Sequence, residues 1–382
     1  MPLQHLFSDR YEISRQKFLE AGDALRKAGI HTAHVSYHYE ESLACDVLHI
    51  GDPGAETIGV VVSGTHGIEG FCGSAVQLNW LRGGMSFARS SNIGILLIHA
   101  INPWGFANLH RTTVENIDLN RNFMNDWSNL PKNDIYAQLH EYLCPKQWSG
   151  RTRSKFWEEA EKYKSKYGEG ALWDALGRGQ YEFQDGLFYG GTGPTWSNTV
   201  FGSIVQRHAS RAERIGLIDI HTGIGERGRA FFLCFNDYQS REFRRAQSWW
   251  GEANVSISGG PGNRPRPSYR GLLFNALRET ATAREFCGVV IEFGTKPPHE
   301  MFDALRLDRW LHFRKESSEK SRLLREGLFD SFCPADHAWR RDVVQTSEAI
   351  LEQLVSGLED WQRSSAFRAA PPSDISRSHD GT

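Results

Sequence analysis

The chain of 382 residues alternates short apolar runs with longer amphipathic stretches, and this alternation constrains its fold more than any other feature. The apolar runs are rich in Val, Ile and Leu, as expected for strands buried on both faces of a parallel sheet. Strands are predicted at 43–50, 57–63, 93–100, 215–221, 230–235 and 288–293. Helices are predicted at 9–29, 70–82, 152–165, 199–213, 239–250, 270–284 and 343–362. We therefore predict an α/β fold, a three-layer sandwich with a mixed, mostly parallel sheet.

One long segment, residues 125–198, interrupts this alternation, because it is rich in Trp, Tyr, Gly and Lys and has no clear strand pattern. We interpret it as an insert in a single domain that spans residues 1–363. Long connections of this kind are usually functional. Two alternatives fit its composition: a loop that covers a pocket, or a surface excursion with its own small core.

Two further segments are predicted to lack regular structure. Residues Gly259 to Pro267 form an irregular loop, since six of these nine residues are Gly or Pro. Residues 364–382 are polar and contain Pro and Ser, which predicts a disordered tail.

Composition argues against two classes of partner. The chain is 40% hydrophobic and 24% charged with a formal net charge of −2, so there is no electrostatic case for binding nucleic acid or a membrane surface. No apolar run approaches the roughly 20 residues that span a bilayer, and residues 1–17 lack the apolar stretch of a secretory signal. We predict a cytoplasmic protein, and the sequence leaves its oligomeric state open.

Three residues that suit a metal site stand at the ends of predicted strands. His66 and Glu69 follow the strand 57–63 directly, and their spacing places both on one face of a helical turn. His221 ends another strand. Ligands of open α/β sheets gather outside the carboxyl ends of the strands, so these side chains are predicted to meet. Two His and one Glu, with a fourth position open for water, form a catalytic zinc set, and one Zn²⁺ ion is the predicted cofactor.

Other interpretations of the metal site remain open. His66 can cap a helix while Glu69 is solvated, since a short motif of this kind also occurs by chance. His99 and His110 are rival ligands, and either can instead be a hydrogen-bonded core residue. Cys72, one of six scattered cysteines that we predict to be reduced and buried, can be a ligand or a nucleophile, but we favour a packing role.

Three carboxylates are predicted to support the metal site. A zinc-bound His usually donates its second ring N–H to a carboxylate, and Asp118 and Asp219 are candidates for this role. Either can instead cap a helix. Glu292 lies in a strand that is apolar on both sides, where a carboxylate is costly unless it is paired or used. We favour proton transfer beside the metal over a buried ion pair with an arginine.

Arg111 and Arg121 stand on an Asn-rich stretch together with Asn120. The planar guanidinium group binds carboxylates through two parallel hydrogen bonds and also stabilises oxyanions. Solvated surface arginines are the alternative, but the neighbouring asparagines favour an ordered loop.

Four motifs in this order carry a family resemblance: Gly64-Thr65-His66-Gly67-Ile68-Glu69-Gly70, Asn102-Pro103-Trp104-Gly105-Phe106, Asp118-Leu119-Asn120-Arg121-Asn122-Phe123 and His221-Thr222-Gly223. Over roughly residues 40–300 the chain resembles the zinc carboxypeptidase (M14) superfamily. Within it, the chain is most similar to the M14-like family DUF2817. The superfamily also includes the aspartoacylase/succinylglutamate desuccinylase deacylases.

The resemblance implies a mixed eight-stranded sheet between helices. It implies His66, Glu69 and His221 as zinc ligands and Glu292 as general base and acid.

The resemblance also implies how the substrate is held. Arg111 would stabilise the oxyanion, Asn120 and Arg121 would bind a substrate carboxylate, and Asp118 would orient the first His ligand. Peptidases of this group carry a mobile tyrosine over the bound carboxylate, some twenty residues before the catalytic Glu. Tyr269 lies 292 − 269 = 23 residues before that position and is the candidate, although its surroundings differ from the peptidase motif.

We therefore predict a zinc-dependent hydrolase that cleaves an amide bond next to a free carboxylate. A small peptide cleaved at its C-terminus and an N-acyl amino acid both have this arrangement. We prefer carboxypeptidase-like activity over the aspartoacylase-like deacylation of N-acyl amino acids. A third hypothesis is a non-catalytic carboxylate-binding protein whose insert contacts a partner, since a fold alone does not establish a function.

Overall fold

The computed structural model describes residues 3–83, 92–255, 267–281, 283–314 and 319–369. Within these ranges seven strands form one mixed sheet in the order β1-β2-β4-β3-β5-β7-β6. The strands are β1 (Thr32–His38), β2 (Ala44–Gly51), β3 (Thr57–Ser63), β4 (Ile93–His99), β5 (Arg214–Gly223), β6 (Ala230–Leu233) and β7 (Glu285–Gly294). The central strands β4, β3, β5 and β7 pair in parallel, whereas β1, β2 and β6 join through antiparallel pairs. The predicted fold class is confirmed, with seven strands in the described ranges instead of eight.

Twelve α-helices occur in the same ranges, and three short 3-10 turns accompany them at Leu3–His5, Gly67–Glu69 and Leu119–Arg121. The helices are α1 (Tyr11–Lys27), α2 (Gly70–Arg82), α3 (Pro103–Ala107), α4 (Asp134–Leu143), α5 (Gly150–Tyr167), α6 (Glu169–Gly177), α7 (Trp196–Ala209), α8 (Arg241–Trp250), α9 (Leu273–Thr280), α10 (Pro298–His312), α11 (Glu319–Phe332) and α12 (His337–Ala369). In the described part of the chain no helix has the length and apolar character needed to cross a membrane.

Two hydrophobic cores cover the two faces of the sheet. In β3, Val61 packs with α1, α2, α8 and α12, whereas its neighbours Val60 and Val62 pack with α7 and α9. Successive side chains of a strand point to opposite faces, so a strand buried on both faces must be apolar throughout. This explains why the apolar runs predict the central strands well.

The edge strand β1 was not predicted from the sequence, because most of its residues are exposed or half-buried. In Thr32–His38 only Thr32 is buried, and the other residues, which include two histidines, are exposed or half-buried, so the strand contains no apolar run. The helices α3, α4, α6, α10 and α11 were not predicted from the sequence either.

The insert at 125–198 contains α4, α5 and α6 around a small core of its own. Phe302 of α10 joins this core, stacking on Phe156 with ring centroids 5.5 Å apart. Both alternatives for the insert are therefore met in part, because it has its own core and also contributes residues to a pocket described below.

Two predicted irregular segments lie mostly outside the described residues. Of the loop from Gly259 to Pro267, only Pro267 is described, and residues 370–382 of the predicted tail lie outside as well. The first part of that tail, residues 364–369, is helical instead of disordered. Each residue added to an existing helix gains one backbone hydrogen bond, so extension is easier than nucleation, and α12 continues to Ala369.

Candidate metal centre

The turn after β3 brings His66 next to Glu69. Gly64 permits this turn, because its φ of 72° is in the left-handed region that favours glycine. The 3-10 turn Gly67–Glu69 then leads directly into α2. As a result, His66 Nδ1 lies 3.1 Å from a Glu69 carboxylate oxygen, and both side chains are buried.

His221 joins this pair from the neighbouring strand. β5 pairs with β3 on one side and with β7 on the other, so that Ile220 is opposite Ser63 and His221 is opposite Glu292. Residues at the same register of adjacent strands face the same side of the sheet. The ends of three parallel strands thereby meet at one place, as the sequence predicts.

The three side chains form a group that can hold a metal ion. His66 Nδ1 and His221 Nδ1 are 3.0 Å apart, and His221 Nδ1 is 3.1 Å from the second oxygen of Glu69. These contacts approach the separation of about 3.3 Å between ligand atoms that a tetrahedral zinc site requires. Among the described residues it is the one group of His, Cys, Asp or Glu that meets this condition. All three residues are buried, so a cation here would be held away from bulk water.

The second nitrogen of each imidazole contacts a buried carboxylate. His66 Nε2 is 3.1 Å from Asp118, and His221 Nε2 is 2.8 Å from Asp219. Asp219 also accepts a hydrogen bond of 2.9 Å from the Thr65 hydroxyl. These contacts direct the Nδ1 atoms of both rings toward Glu69, which is the arrangement typical of metal-ligating histidines.

The charges around the group favour ionised ligands. Burial opposes ionisation of Glu69, but the adjacent His66 and His221 outweigh it and hold the pKa of this carboxyl below its ordinary value. Burial likewise opposes ionisation of Asp118, but Arg111 and Arg121 keep its pKa well below the usual range. Both carboxylates are therefore charged at neutral pH.

The pKa of Glu292 is shifted in the opposite direction. Burial, followed by the negative charge of Glu69, raises its pKa above the ordinary value. One of its oxygens accepts a hydrogen bond of 3.3 Å from the backbone N–H of Ile224. The site therefore holds one carboxyl group that favours ionisation, Glu69, and one that favours protonation in the metal-free protein, Glu292.

Arg111 lies directly against the metal-binding group. It pairs with Asp118 at 2.6 Å, its second amino group is 2.7 Å from His66 Nε2, and its Nε lies 3.7 Å from Glu69. The alternative of a solvated surface arginine is therefore wrong for Arg111, because its side chain is buried beside the candidate ligands.

Arg121 is buried between aromatic rings and backbone carbonyls. Its guanidinium carbon lies 4.7 Å from the ring centroid of Tyr269 and 5.5 Å from that of Phe188. It donates hydrogen bonds to the carbonyls of Asn120 and Gly177, while its buried Nε has no partner. Buried donors without a partner are rare in native proteins, which marks this atom as a candidate for ligand binding. Tyr269, predicted from the family resemblance alone, thus reaches the site.

Asn120 is anchored by the backbone of α9's first turn. Its side-chain oxygen accepts a hydrogen bond of 3.0 Å from the N–H of Leu273. The residues predicted to bind the metal, to act in catalysis or to bind the substrate all line one cavity of about 260 Å³. The two orienting aspartates, Asp118 and Asp219, do not line it. The cavity is otherwise mostly apolar, with walls from β6, α6 and α10.

The rival ligands lie elsewhere. His99 stacks on Phe18 at 4.6 Å and pairs with Ser74, so it is a core residue. Cys72 is buried and does not belong to the metal-binding group, in agreement with a packing role.

His110 supports the site without being a ligand, and the residue that holds it was missed. Asp308 of α10 accepts hydrogen bonds from His110 Nδ1 at 2.7 Å and from the backbone N–H of Arg111 at 3.0 Å. The carbonyls of His110 and Arg111 in turn accept hydrogen bonds from Ile68 and Gly67. Asp308 thereby ties the metal-binding turn to α10. No signal in the local sequence around Asp308 indicates this contact.

Replacing Gly67 with alanine is expected to destabilise the protein by about 1–3 kcal/mol, since overpacking of a rigid site has this magnitude. A Cβ at this position would lie 2.1 Å from the carbonyl carbon of Gly105, and backbone cannot move aside easily. Chemical denaturation measures the change in the free energy of unfolding. The control is Gly202→Ala in α7, where a Cβ meets no atom within 4 Å and should stabilise by about 0.5–1 kcal/mol. Equal stability of both variants would contradict this packing account.

The sequence matches the family described as "Protein of unknown function (DUF2817)" over residues 7–346, and the chain belongs to this family. The family predicted from the four motifs is thereby confirmed. No curated protein matches the chain at a significant level.

Solved structures with similar folds include enzymes of two kinds. A proposed metallopeptidase from Shewanella amazonensis has 14% identity and a TM-score of 0.41, over 79% of this chain and 91% of the other. Carboxypeptidase A from Helicoverpa armigera has 12% identity and a TM-score of 0.44, over 85% and 74%. Succinylglutamate desuccinylase from Chromobacterium violaceum has 12% identity and a TM-score of 0.33, over 79% and 74%.

Proposed function

We propose that this protein is a zinc-dependent hydrolase that cleaves an amide bond next to a free carboxylate. The observation that carries the proposal is the convergence of His66 Nδ1, His221 Nδ1 and the Glu69 carboxylate beside a second acid, Glu292. Two His and one Glu with an open fourth position are a ligand set of catalytic zinc. When bound there, zinc would supply an activated water and polarise the scissile carbonyl.

Glu292 is the residue that we assign to proton transfer. It lies beside His221 across the β5–β7 pair and lines the cavity. In the metal-free protein, burial and the charge of Glu69 raise the pKa of Glu292. A zinc ion bound beside it would favour the ionised form, which is the form that accepts a proton from water before delivering it to a leaving nitrogen. The hydrogen bond from Ile224 fixes one oxygen and leaves the other for this exchange.

We assign different roles to the two arginines of the site. Arg111, close to the metal-binding group, is placed to stabilise negative charge on the carbonyl oxygen. Arg121, with its free Nε and its position beside Asn120 and Tyr269, is assigned to the substrate carboxylate. Small peptides cleaved at the C-terminus are the preferred substrates, and N-acyl amino acids are the second candidate because they present the same carboxylate next to an amide.

The test combines metal analysis with a substrate panel. Purified protein should contain close to one zinc per chain, and it should hydrolyse members of a panel of dipeptides and N-acyl amino acids. A chelator should abolish turnover, and added zinc should restore it. Zinc-loaded protein that hydrolyses neither class would overturn the hydrolase assignment and favour a carboxylate-binding protein.

Replacing Asp118 with asparagine is expected to lower zinc affinity by about 10–100-fold, the usual effect of losing the carboxylate that orients a ligating histidine. The reason is its contact of 3.1 Å with His66 Nε2, which directs Nδ1 toward the other ligands. Competition with a chromophoric chelator measures the affinity. Asp126→Asn, an exposed site on the same segment, serves as the control and should bind zinc like the wild type. Unchanged affinity in Asp118→Asn would remove this residue from the metal site.

A further inference from the structure

One wall of the cavity is built by the insert together with α10. Trp173 and Leu176 come from α6, Phe188 from the loop after it, and Met301 and Phe302 from α10. Their rings form a continuous cluster: Trp173 meets Phe302 edge to face at 5.8 Å, and Phe188 lies 6.5 Å from Phe302. We call these five residues the insert wall.

The insert wall reaches the arginines to which we assign the chemistry. The ring of Phe188 lies 5.4 Å from the guanidinium carbon of Arg111 and 5.5 Å from that of Arg121. The insert also holds the backbone of Arg121 in place, because the Tyr181 hydroxyl donates a hydrogen bond of 2.9 Å to its carbonyl. A substrate group on this wall would therefore sit next to the bond that is cleaved.

Phe188 occupies this place at the expense of backbone strain. Its φ of 53° is in the left-handed region, which a bulky aromatic residue rarely adopts. Such outliers persist where the surrounding structure holds them and cluster at ligand sites. Here the Phe188 carbonyl accepts a hydrogen bond of 3.1 Å from the N–H of Gln180, which secures the strained loop.

The insert wall carries no charged side chain. The charged side chains that line the described cavity are metal-binding, catalytic or carboxylate-binding candidates, apart from Lys296, which is paired with Asp330 at 3.6 Å. Because Arg111 and Arg121 are assigned to the oxyanion and the substrate carboxylate, a further charged substituent against the wall would lose its hydration without gaining a partner of its own. An uncharged apolar group would instead bury its surface on three aromatic rings.

We infer that the insert wall binds an aromatic or branched aliphatic group of the substrate. The inference rests on the proposed function and specifies its substrate class: amide conjugates that carry a free carboxylate together with an apolar group. The insert thus has a role in substrate selection in addition to its own small core.

A pair of tryptophans in the insert permits a controlled test. Trp173 and Trp157 both pack on Phe302, at 5.8 Å and 5.7 Å, but only Trp173 lines the cavity. The zinc-loaded full chain is assayed with matched substrates, N-benzoylglycine against N-acetylglycine and N-acetylphenylalanine against N-acetylglycine. The wild type should prefer an aromatic member, and Trp173→Ala should lower that preference in kcat/KM about tenfold. Trp157→Ala should retain the preference.

The two aromatic substrates show which part of the substrate contacts the insert wall. N-benzoylglycine carries its ring on the acyl group, whereas N-acetylphenylalanine carries it on the amino acid. A wild type without any aromatic preference would overturn the inference, as would an equal loss of preference in both tryptophan variants.

A binding measurement separates this inference from the hydrolase proposal. Calorimetry of N-benzoylglycine and N-acetylglycine with Glu292→Gln, with and without Trp173→Ala, requires no turnover. Aromatic preference that depends on Trp173 without hydrolysis by the wild type would retain the insert wall and reject the hydrolase. Hydrolysis by the wild type together with an aromatic preference that does not depend on Trp173 would retain the hydrolase and reject the insert wall.

Discussion

Replacing Glu292 with glutamine is expected to lower kcat by about 10²–10⁴-fold while the protein keeps its zinc, since this is the range over which general acid–base groups contribute. Glutamine has the same shape and can still accept the hydrogen bond from Ile224, but it cannot exchange a proton. The ligands His66, Glu69 and His221 are unchanged, so the metal content should be unchanged as well. Steady-state kinetics and metal analysis on the same sample measure both quantities.

The fold itself should tolerate this change. Burial and the charge of Glu69 disfavour the ionised form of Glu292, so the metal-free protein already favours a neutral side chain here, and glutamine has the same shape as that neutral form. The matched control is Glu285→Gln, the same substitution at the other end of β7, where the side chain pairs with Arg245 and Trp361. It should retain wild-type kcat. Wild-type turnover in zinc-loaded Glu292→Gln would exclude this residue from proton transfer.

Replacing His221 with alanine is expected to abolish stoichiometric zinc binding and, with it, turnover. The loss should exceed the about 10–100-fold reduction in affinity that follows from removing an orienting partner alone, because one of only three protein ligands disappears. His221 is also the residue that links Glu69 and Asp219, with contacts of 3.1 Å and 2.8 Å. Its removal leaves two buried carboxylates without this partner, which further disorganises the site.

The rival histidine His99 provides the control for this prediction. It is fully buried, like His221, but stacks on Phe18 in the core outside the metal-binding group. His99→Gln should therefore lower stability while the folded fraction still binds one zinc. Metal analysis per folded chain distinguishes the two variants. Full zinc occupancy in His221→Ala would require another ligand and would undermine the proposed site.

Local sequence patterns predict the central sheet well and the periphery poorly. The runs that became β3 and β5 are apolar throughout because both faces are covered by helices, and that burial is visible in the sequence. β1 is an edge strand with half-exposed residues, so its pattern carries little information. α10 and α11 stabilise the fold through contacts with the insert and the metal-binding turn that lie far away in sequence.

In the candidate site, too, local sequence patterns predict some residues and not others. The positions of His66, Glu69, His221 and Glu292 follow from strand ends and side-chain spacing. By contrast, Asp308 supports Arg111 from 197 residues further along the chain, a contact that no local pattern encodes.

The sequence by itself determined the α/β alternation, the buried strands and the residues that stand at the strand ends. Burial periodicity and the direction of side chains along a strand are local properties, so a single chain displays them directly. Only the tertiary structure decided that both imidazoles turn Nδ1 inward, that Arg121 lies against Phe188 and Tyr269, and that the insert forms a wall of the cavity. These features depend on packing between segments distant in sequence, where the geometry of each contact is set by all its neighbours.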